Sequence, residues 1–334
     1  MLVIFFQLMT MRTISKPCVM SRMGLQKPTC PKKAAIVTSG GTCPGLNTVV
    51  HEITHALESV GCRDVFAVKH GYSGFYTENI VKISSQDTKQ HRNEGGTFIG
   101  TSRTPFETMQ ICNVLSTYNI DHLYVVGGDG SLAGALQLSR CSSSQIIGIP
   151  KTIDNDIPHI DYSFGFHTAV EESVKSLEAM HRECIAFEGI GVVQLMGRQC
   201  GMIATHATQA SGYGDIVLVP EKCSAVDTKQ IAKQAIHHRS QNKSCVVVVS
   251  EGLGRNIGWK IVDELYSMVP TVSIKYMDPS YLVRAGNPNC FDMMYCTELS
   301  QAAVSAACGG FTGLYVGKRA DDIACIPLEF LNSL

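Results

Sequence analysis

From Ala34 onward, short apolar runs alternate with amphipathic segments of helix length, and that rhythm restricts the chain to an α/β fold on mainly parallel sheet. Runs at Ala34 to Thr38, Asp64 to Val68, His122 to Val126 and Gln145 to Ile149 predict one set of strands. Gly191 to Leu195, Asp215 to Val219, Cys245 to Ser250 and Val272 to Tyr276 predict a second. Helices are expected over Asn47 to Val60, Phe106 to Tyr118, Ser131 to Ser139, Phe166 to Cys184, Gly201 to Ser211, Val226 to Gln241 and Phe291 to Cys308. With 334 residues and 45% hydrophobic content, the chain can bury two cores that share a cleft, so we expect two doubly wound lobes.

In such sheets, ligand groups gather just past the carboxyl ends of the strands. The polar signatures fall there. Ser39-Gly40-Gly41-Thr42-Cys43-Pro44-Gly45 follows the first strand, Gly127-Gly128-Asp129-Gly130-Ser131 follows the third, and Pro150-Lys151-Thr152-Ile153-Asp154-Asn155-Asp156 follows the fourth. Met196-Gly197-Arg198 and Glu251-Gly252 hold equivalent positions in the second set.

Charge and cysteine usage remove several function classes. The balance of 28 basic against 29 acidic residues gives a formal charge of -1, which offers no field for wrapping nucleic acid. Fourteen cysteines are scattered without a C-x-x-C pair, so we expect reduced thiols in a cytoplasmic protein. No acidic residue occurs from Met1 to Val50, whereas Arg12, Lys16, Arg22, Lys27, Lys32 and Lys33 are basic. This bias resembles an import presequence and keeps organelle targeting open. A disordered tail over 1–31, or a true start at Met20 or Met23, is the plainer expectation. The run Leu2-Val3-Ile4-Phe5-Phe6 is too short to span a bilayer, and no membrane association is expected.

The loops carry the chemistry. A Gly-Gly pair between strand and helix lets backbone amides approach phosphate oxygens at a helix amino end, although a ligand-free tight turn would also use Gly40, Gly41 and Gly45. Asp129, a carboxylate between glycines, has little purpose unless it holds a cation, but the same string occurs in NAD kinases and lipid kinases. Thr152, Asp154 and Asp156 alternate, so on an extended segment they share one face while Asn155 points away. One aspartate can take a proton from an attacking hydroxyl while another helps hold Mg2+, the division that phosphoryl transfer needs. Lys151 would contact phosphate or face solvent. A rival motif, His51-Glu52-Ile53-Thr54-His55, fits the H-E-x-x-H pattern of zinc hydrolases. It sits inside the helix after the Gly40 loop and ignores every other loop, so a plain helix surface is the simpler reading.

Taken in order, Gly40-Gly41 through Asn47, Gly95-Gly96-Thr97-Phe98, the Asp129 loop, Pro150 to Asp156, Phe164 to Ala169, Leu195 to Arg198 and Ser250 to Gly252 resemble the 6-phosphofructokinase family. Lys275-Tyr276-Met277-Asp278-Pro279-Ser280-Tyr281, ending in Arg284, is similar to the plant-like and trypanosomal ATP-dependent branch. The resemblance runs from about Ala34 to Leu334. It implies Mg2+-assisted transfer of the γ-phosphoryl of ATP to the 1-hydroxyl of fructose 6-phosphate in a cleft between two lobes.

By carry-over, Asp154 is the base, with Thr152 and Arg198 at the reacting centre. Asp129 holds Mg2+ and Asp156 supports it indirectly. Gly41, Arg103, Gly128, Asp129, Gly130 and Ser131 line the nucleotide. Thr152, Asp154, Met196, Gly197, Arg198, Glu251, Lys275, Tyr281 and Arg284 form the sugar-phosphate site. Lys275 reaches the 6-phosphate, often from a neighbouring subunit, which implies a homo-oligomer, dimer or tetramer. The resemblance also implies lobes of 32–165 plus about 279–306 for the nucleotide and 166–278 plus about 307–334 for the sugar phosphate.

Two departures from bacterial relatives, Thr42 for an aspartate and Gly189 for a partner-subunit arginine, advise against importing the bacterial allosteric scheme. Pyrophosphate users of the family usually carry aspartate at the position of Gly130, so glycine there points to ATP. Lys151 is common in pyrophosphate users and keeps that donor as the alternative. A silent regulatory subunit is a further alternative, opposed by the intact carboxylates.

Overall fold

The apolar runs become strands because each is too short for a helix, and the central ones are covered on both faces. A computed structural model describes residues 30–223 and 225–332. The expected basic tail lies almost wholly outside the described residues. Eleven strands occur among them: β1 (Lys33–Thr38), β2 (Asp64–Val68), β3 (Ile80–Ile83), β4 (His122–Gly127), β5 (Gln145–Pro150), β6 (Ile190–Leu195), β7 (Ile216–Leu218), β8 (Cys245–Ser250), β9 (Ile274–Met277), β10 (Leu314–Arg319) and β11 (Asp322–Pro327). They form a seven-stranded sheet in the order β11-β10-β5-β4-β1-β2-β3 and a four-stranded sheet in the order β7-β8-β6-β9. Every pairing is parallel except the two edge pairs, β2 with β3 and β10 with β11.

Both sheets reverse their winding at a central strand. In the first, β1 lies between β4 and β2; in the second, β6 lies between β8 and β9. Loops leaving such switch points diverge and open a crevice. The Gly40 and Asp129 loops leave β1 and β4; the Met196 and Glu251 loops leave β6 and β8.

The topology corrects one expected boundary. The resemblance places segment 307–334 in the sugar-phosphate lobe, but β10 pairs in parallel with β5, Leu314 opposite Ile147, and extends the first sheet. Leu314, Tyr315 and Val316 are buried there, where the first core offers a larger apolar face.

A buried carboxylate fastens the two lobes. Asp292, near the start of helix Cys290–Cys308, is fully buried and accepts hydrogen bonds from the backbone N–H groups of Gly165 and Thr168, each at 2.8 Å, and from the Thr168 hydroxyl. It thereby caps helix Phe166–Ala186, which packs on β6, while its own helix packs on Leu46–Ser59 and β5. Burial raises its carboxyl above the ordinary value, and these donors pull it back. Asp292→Ala should destabilise the fold by about 3 kcal/mol or more, because several buried donors lose their acceptor together. Urea unfolding of the two forms would measure the difference.

Candidate active site

The diverging loops enclose a cleft of about 490 Å3. Asp129, Asp154, Asp156 and Glu251 line it together with Arg103, Lys151, Arg198, Arg255 and Arg284. Opposite charges are therefore sorted within one water-accessible space, as a polyanionic ligand with a divalent cation requires.

On the first lobe, the Gly41 backbone passes beneath two guanidinium groups. A Cβ there would stand 3.7 Å from Arg284 Nη1 and 3.9 Å from Arg103 Nη2. Arg284 Nε is buried without a hydrogen-bond partner. Such an orphaned donor costs free energy unless an anion meets the guanidinium. Lys151 neither faces solvent nor reaches freely into the cleft. It is buried in the wall and donates to the Gly41 carbonyl at 2.7 Å, and burial holds its ammonium below the ordinary value. The lysine therefore ties the β5 loop to the β1 loop.

Gly128 stands at the cap position of helix Asp129–Cys141, so Asp129, Gly130 and Ser131 occupy its first turn, where the dipole favours anions, although Ser131 N already donates to the Gly128 carbonyl at 2.9 Å. A Cβ at Gly130 would meet nothing within 4 Å. Ser131 is buried, and its carbonyl accepts from the Tyr72 hydroxyl at 3.2 Å.

The β5 loop differs from the extended segment that the alternation predicts. Asn155 adopts a left-handed conformation, φ 57°, and the segment bends there. Its side chain turns away from the cleft to accept from Ser163 N at 2.8 Å and donate to Asp161 O at 3.2 Å. Thr152, Asp154 and Asp156 nevertheless all line the cleft. Asp154 N donates to Thr152 Oγ1 at 3.1 Å, and Arg198 N donates to Asp154 Oδ2 at 3.3 Å across the interlobe gap. Burial first, then the charge of Asp156, pushes Asp154 up to about 6. Asp129 is raised for the same reasons. A site in which the Asp156 charge opposes the ionisation of both Asp129 and Asp154 is short of positive charge.

On the second lobe, Gly197 holds φ 137°, and a Cβ would lie 2.1 Å from the Cys200 carbonyl, so only glycine makes this turn. The turn delivers Met196 and Arg198 to the cleft. Glu251 faces them and pairs with Arg255 Nε at 3.3 Å.

Two expected residues stand elsewhere. Lys275 pairs with Glu183 at 3.3 Å and lies over Phe187, 4.8 Å from the ring centroid, outside the cleft lining. Tyr281 is 74% exposed, its ring 5.2 Å from the Arg284 guanidinium. The zinc pattern is otherwise engaged: His51 Nδ1 lies 2.8 Å from Thr88 Oγ1, and Glu52 binds Arg92 Nε at 2.6 Å. That ion pair removes the free carboxylate a hydrolytic zinc site needs. Conversely, Tyr72, Thr104, Phe106 and Arg255 also line the cleft, though they lie outside the polar loops. Tyr72 and Phe106 meet edge to face at 5.1 Å as an apolar wall, which no local pattern announces.

A family model described as phosphofructokinase matches residues 33–307. The chain belongs to the phosphofructokinase family. An ATP-dependent 6-phosphofructokinase of Arabidopsis thaliana is 37% identical over 318 residues, covering 85% of this chain and 67% of that one. A Trypanosoma brucei brucei enzyme of the same description is 31% identical, covering 90% and 68%. The structure of phosphofructokinase from Saccharomyces cerevisiae aligns with a TM-score of 0.76 at 28% identity, covering 89% of this chain and 45% of that one. The chain thus spans about two thirds of the length of these curated relatives and under half of the yeast chain. The phosphofructokinase neighbours share the two-lobed α/β fold described above. No helix among the described residues is long and apolar enough to cross a membrane.

Proposed function

We propose that this protein is an ATP-dependent 6-phosphofructokinase that transfers the γ-phosphoryl of ATP to the 1-hydroxyl of fructose 6-phosphate. The observation that carries this reading is the meeting of Asp129, Asp154 and Asp156 with Arg103, Arg198 and Arg284 in one interlobe cleft. Its family relatives supply the acceptor and donor.

Asp154 acts as the base. Its Oδ2 is engaged by the Arg198 N–H, which leaves Oδ1 to accept the hydroxyl proton as the new P–O bond forms and the β–γ bridge breaks. Thr152 orients the Asp154 backbone through its hydroxyl. Asp129 and Asp156 fit a divalent cation, because both are hard oxygen donors facing the cleft and their mutual repulsion is what such an ion offsets. Bound Mg2+ would neutralise charge on the donor phosphates. The backbone at Gly41 and Gly130 and the amino end of helix Asp129–Cys141, with Gly128 and Ser131 beside them, hold the nucleotide phosphates, with Arg103 over the transferring group. Met196, Gly197, Arg198, Glu251 and Arg284 hold the sugar phosphate. Lys275 and Tyr281, lying outside their own cleft, would serve a neighbour's site in a homo-oligomer. Free thiols at all thirteen described cysteines suit a cytoplasmic setting.

Parallel assays of fructose 1,6-bisphosphate formation with ATP and with pyrophosphate test the reading. Product with ATP is expected. Product with pyrophosphate alone would reassign the donor, and product with neither would overturn the proposal.

The raised Asp154 carboxyl gives a pH signature. A base must be ionised, so kcat/KM should climb through about pH 6 and level above it, as a pH–rate profile would record. Stability moves the other way. Between about pH 4 and pH 6 the folded state holds a proton that the unfolded state has released, so folding free energy is lost as pH rises through that window. Asp154→Asn should therefore raise the thermal midpoint at pH 7, recovering about 1–3 kcal/mol.

A further inference from the structure

At the far end of the second sheet from the cleft, three ligating side chains converge. The ligand atoms of Asp215, His238 and Cys245 all lie within 4.8 Å of one another. Asp215 immediately precedes β7, Cys245 opens β8, and His238 projects from helix Thr228–Asn242. Cys245 is fully buried. The Asp215 carboxylate is already fixed, since Oδ2 accepts the Val246 N–H at 2.7 Å. Oδ1 remains 3.6 Å from His238 Nε2. That gap is too long for a direct hydrogen bond, but it approaches the spacing of about 3.4 Å between two ligands on a tetrahedral ion with bonds near 2.1 Å.

The imidazole is poorly served without a cation. His238 Nδ1 is buried with no hydrogen-bond partner, while the amide of Asn242 lies 3.3 Å from Nε2. Nδ1 is the nitrogen without a counterpart, which a cation ligated there would supply; ligation at Nε2 would instead replace the Asn242 contact and use the spacing to Asp215. Beside the trio a groove of about 560 Å3, lined by Gln230, Gln234, His237 and Gln241, leads to solvent.

We propose that Asp215, His238 and Cys245 bind one Zn2+ ion through a carboxylate oxygen, an imidazole nitrogen and a thiolate, with a fourth position open to the groove. A thiolate with imidazole and one carboxylate is a borderline-soft donor set; Mg2+ and Ca2+ prefer oxygen alone. Binding releases the Cys245 proton to solvent as the metal–sulfur bond forms. The ion joins helix Thr228–Asn242 to β7 and β8, outside the phosphoryl-transfer chemistry. Cys245 and Ser250 are at opposite ends of β8, about 17 Å apart at 3.3 Å per residue, so the site acts on the stability of this lobe.

Chelator-stripped full-length protein titrated with Co2+ under reducing conditions tests the site. We expect one equivalent to bind with thiolate-to-cobalt charge-transfer absorption in the near ultraviolet, Zn2+ to displace it, and Zn2+ to raise the thermal midpoint. Cys245→Ser should abolish the absorption. His238→Gln, on a partly exposed helix face, should weaken binding at least about tenfold with an unchanged circular dichroism spectrum. Absence of stoichiometric binding at micromolar Co2+, or the same absorption in Cys245→Ser, would overturn the proposal, the latter by moving the metal to another cysteine.

Discussion

Asp154→Asn is expected to lower kcat about a thousandfold, the range in which loss of a positioned general base falls. Asparagine keeps the shape of aspartate and an oxygen to accept the Arg198 N–H at the position now held by Oδ2, so the bridge between the lobes survives. The amide cannot take a proton from the acceptor hydroxyl. The loss should therefore appear in kcat with fructose 6-phosphate affinity nearly unchanged, the pattern of an interaction made only in the transition state. Stopped-time measurement of fructose 1,6-bisphosphate, alongside calorimetric titration of fructose 6-phosphate, separates the two quantities. A fall of less than about tenfold would remove Asp154 from the role of base. Because the same substitution takes a destabilised charge out of the fold, a variant both slower and more stable distinguishes a catalytic loss from unfolding.

The sequence was most legible where one physical requirement acted alone. Central strands β1, β4, β5, β6 and β8 are buried on both faces, so each reads as a mainly apolar run, broken in β6 only by Gln194. The edge strands β3 and β11 were not visible, because solvent on one side mixes Lys82 and Asp322 into short runs whose pairing depends on a distant neighbour. β10 is an interior strand, but its apolar run is only Leu314, Tyr315 and Val316 before Gly317 and two basic residues, too short to mark a strand, and the placement of segment 307–334 depends on it. Helix Ile257–Met268 also lies outside the expected set, although Ile261, Val262 and Leu265 recur at helical spacing on its buried face.

The cleft follows the same division. Its glycine and aspartate loops could be read because they pair backbone geometry with charge in a few consecutive residues. The fate of Lys151 could not, because a lysine at a strand end says nothing about a carbonyl on another strand's loop. Nor could the bend at Asn155, where a short side chain finds Ser163 and Asp161 and makes a left-handed residue tolerable. Alternation along the chain gave three side chains facing one way, and a turn stabilised from outside the motif delivers them there instead.

Gly130→Asp should cut kcat/KM for ATP by at least about a hundredfold while leaving the fold intact. The position is exposed, a Cβ there meets nothing within 4 Å, and it lies in the first turn of helix Asp129–Cys141, where an acidic side chain suits the dipole. Steric and folding costs are thus small, and the charge itself decides the outcome. A carboxylate about 4 Å from a phosphate charge at an effective dielectric near 20 is opposed by about 4 kcal/mol, or about three decades in rate. A cation held by the neighbouring carboxylates screens part of that, hence the lower figure. Gly130→Ala supplies the Cβ without the charge and should change kcat/KM by less than about tenfold. Steady-state kinetics of both variants with ATP, and with pyrophosphate as the shorter donor, resolve the matter: if the aspartate variant kept near-normal ATP turnover, the nucleotide would have to lie away from this helix end, and the donor assignment built on an absent side chain would fail.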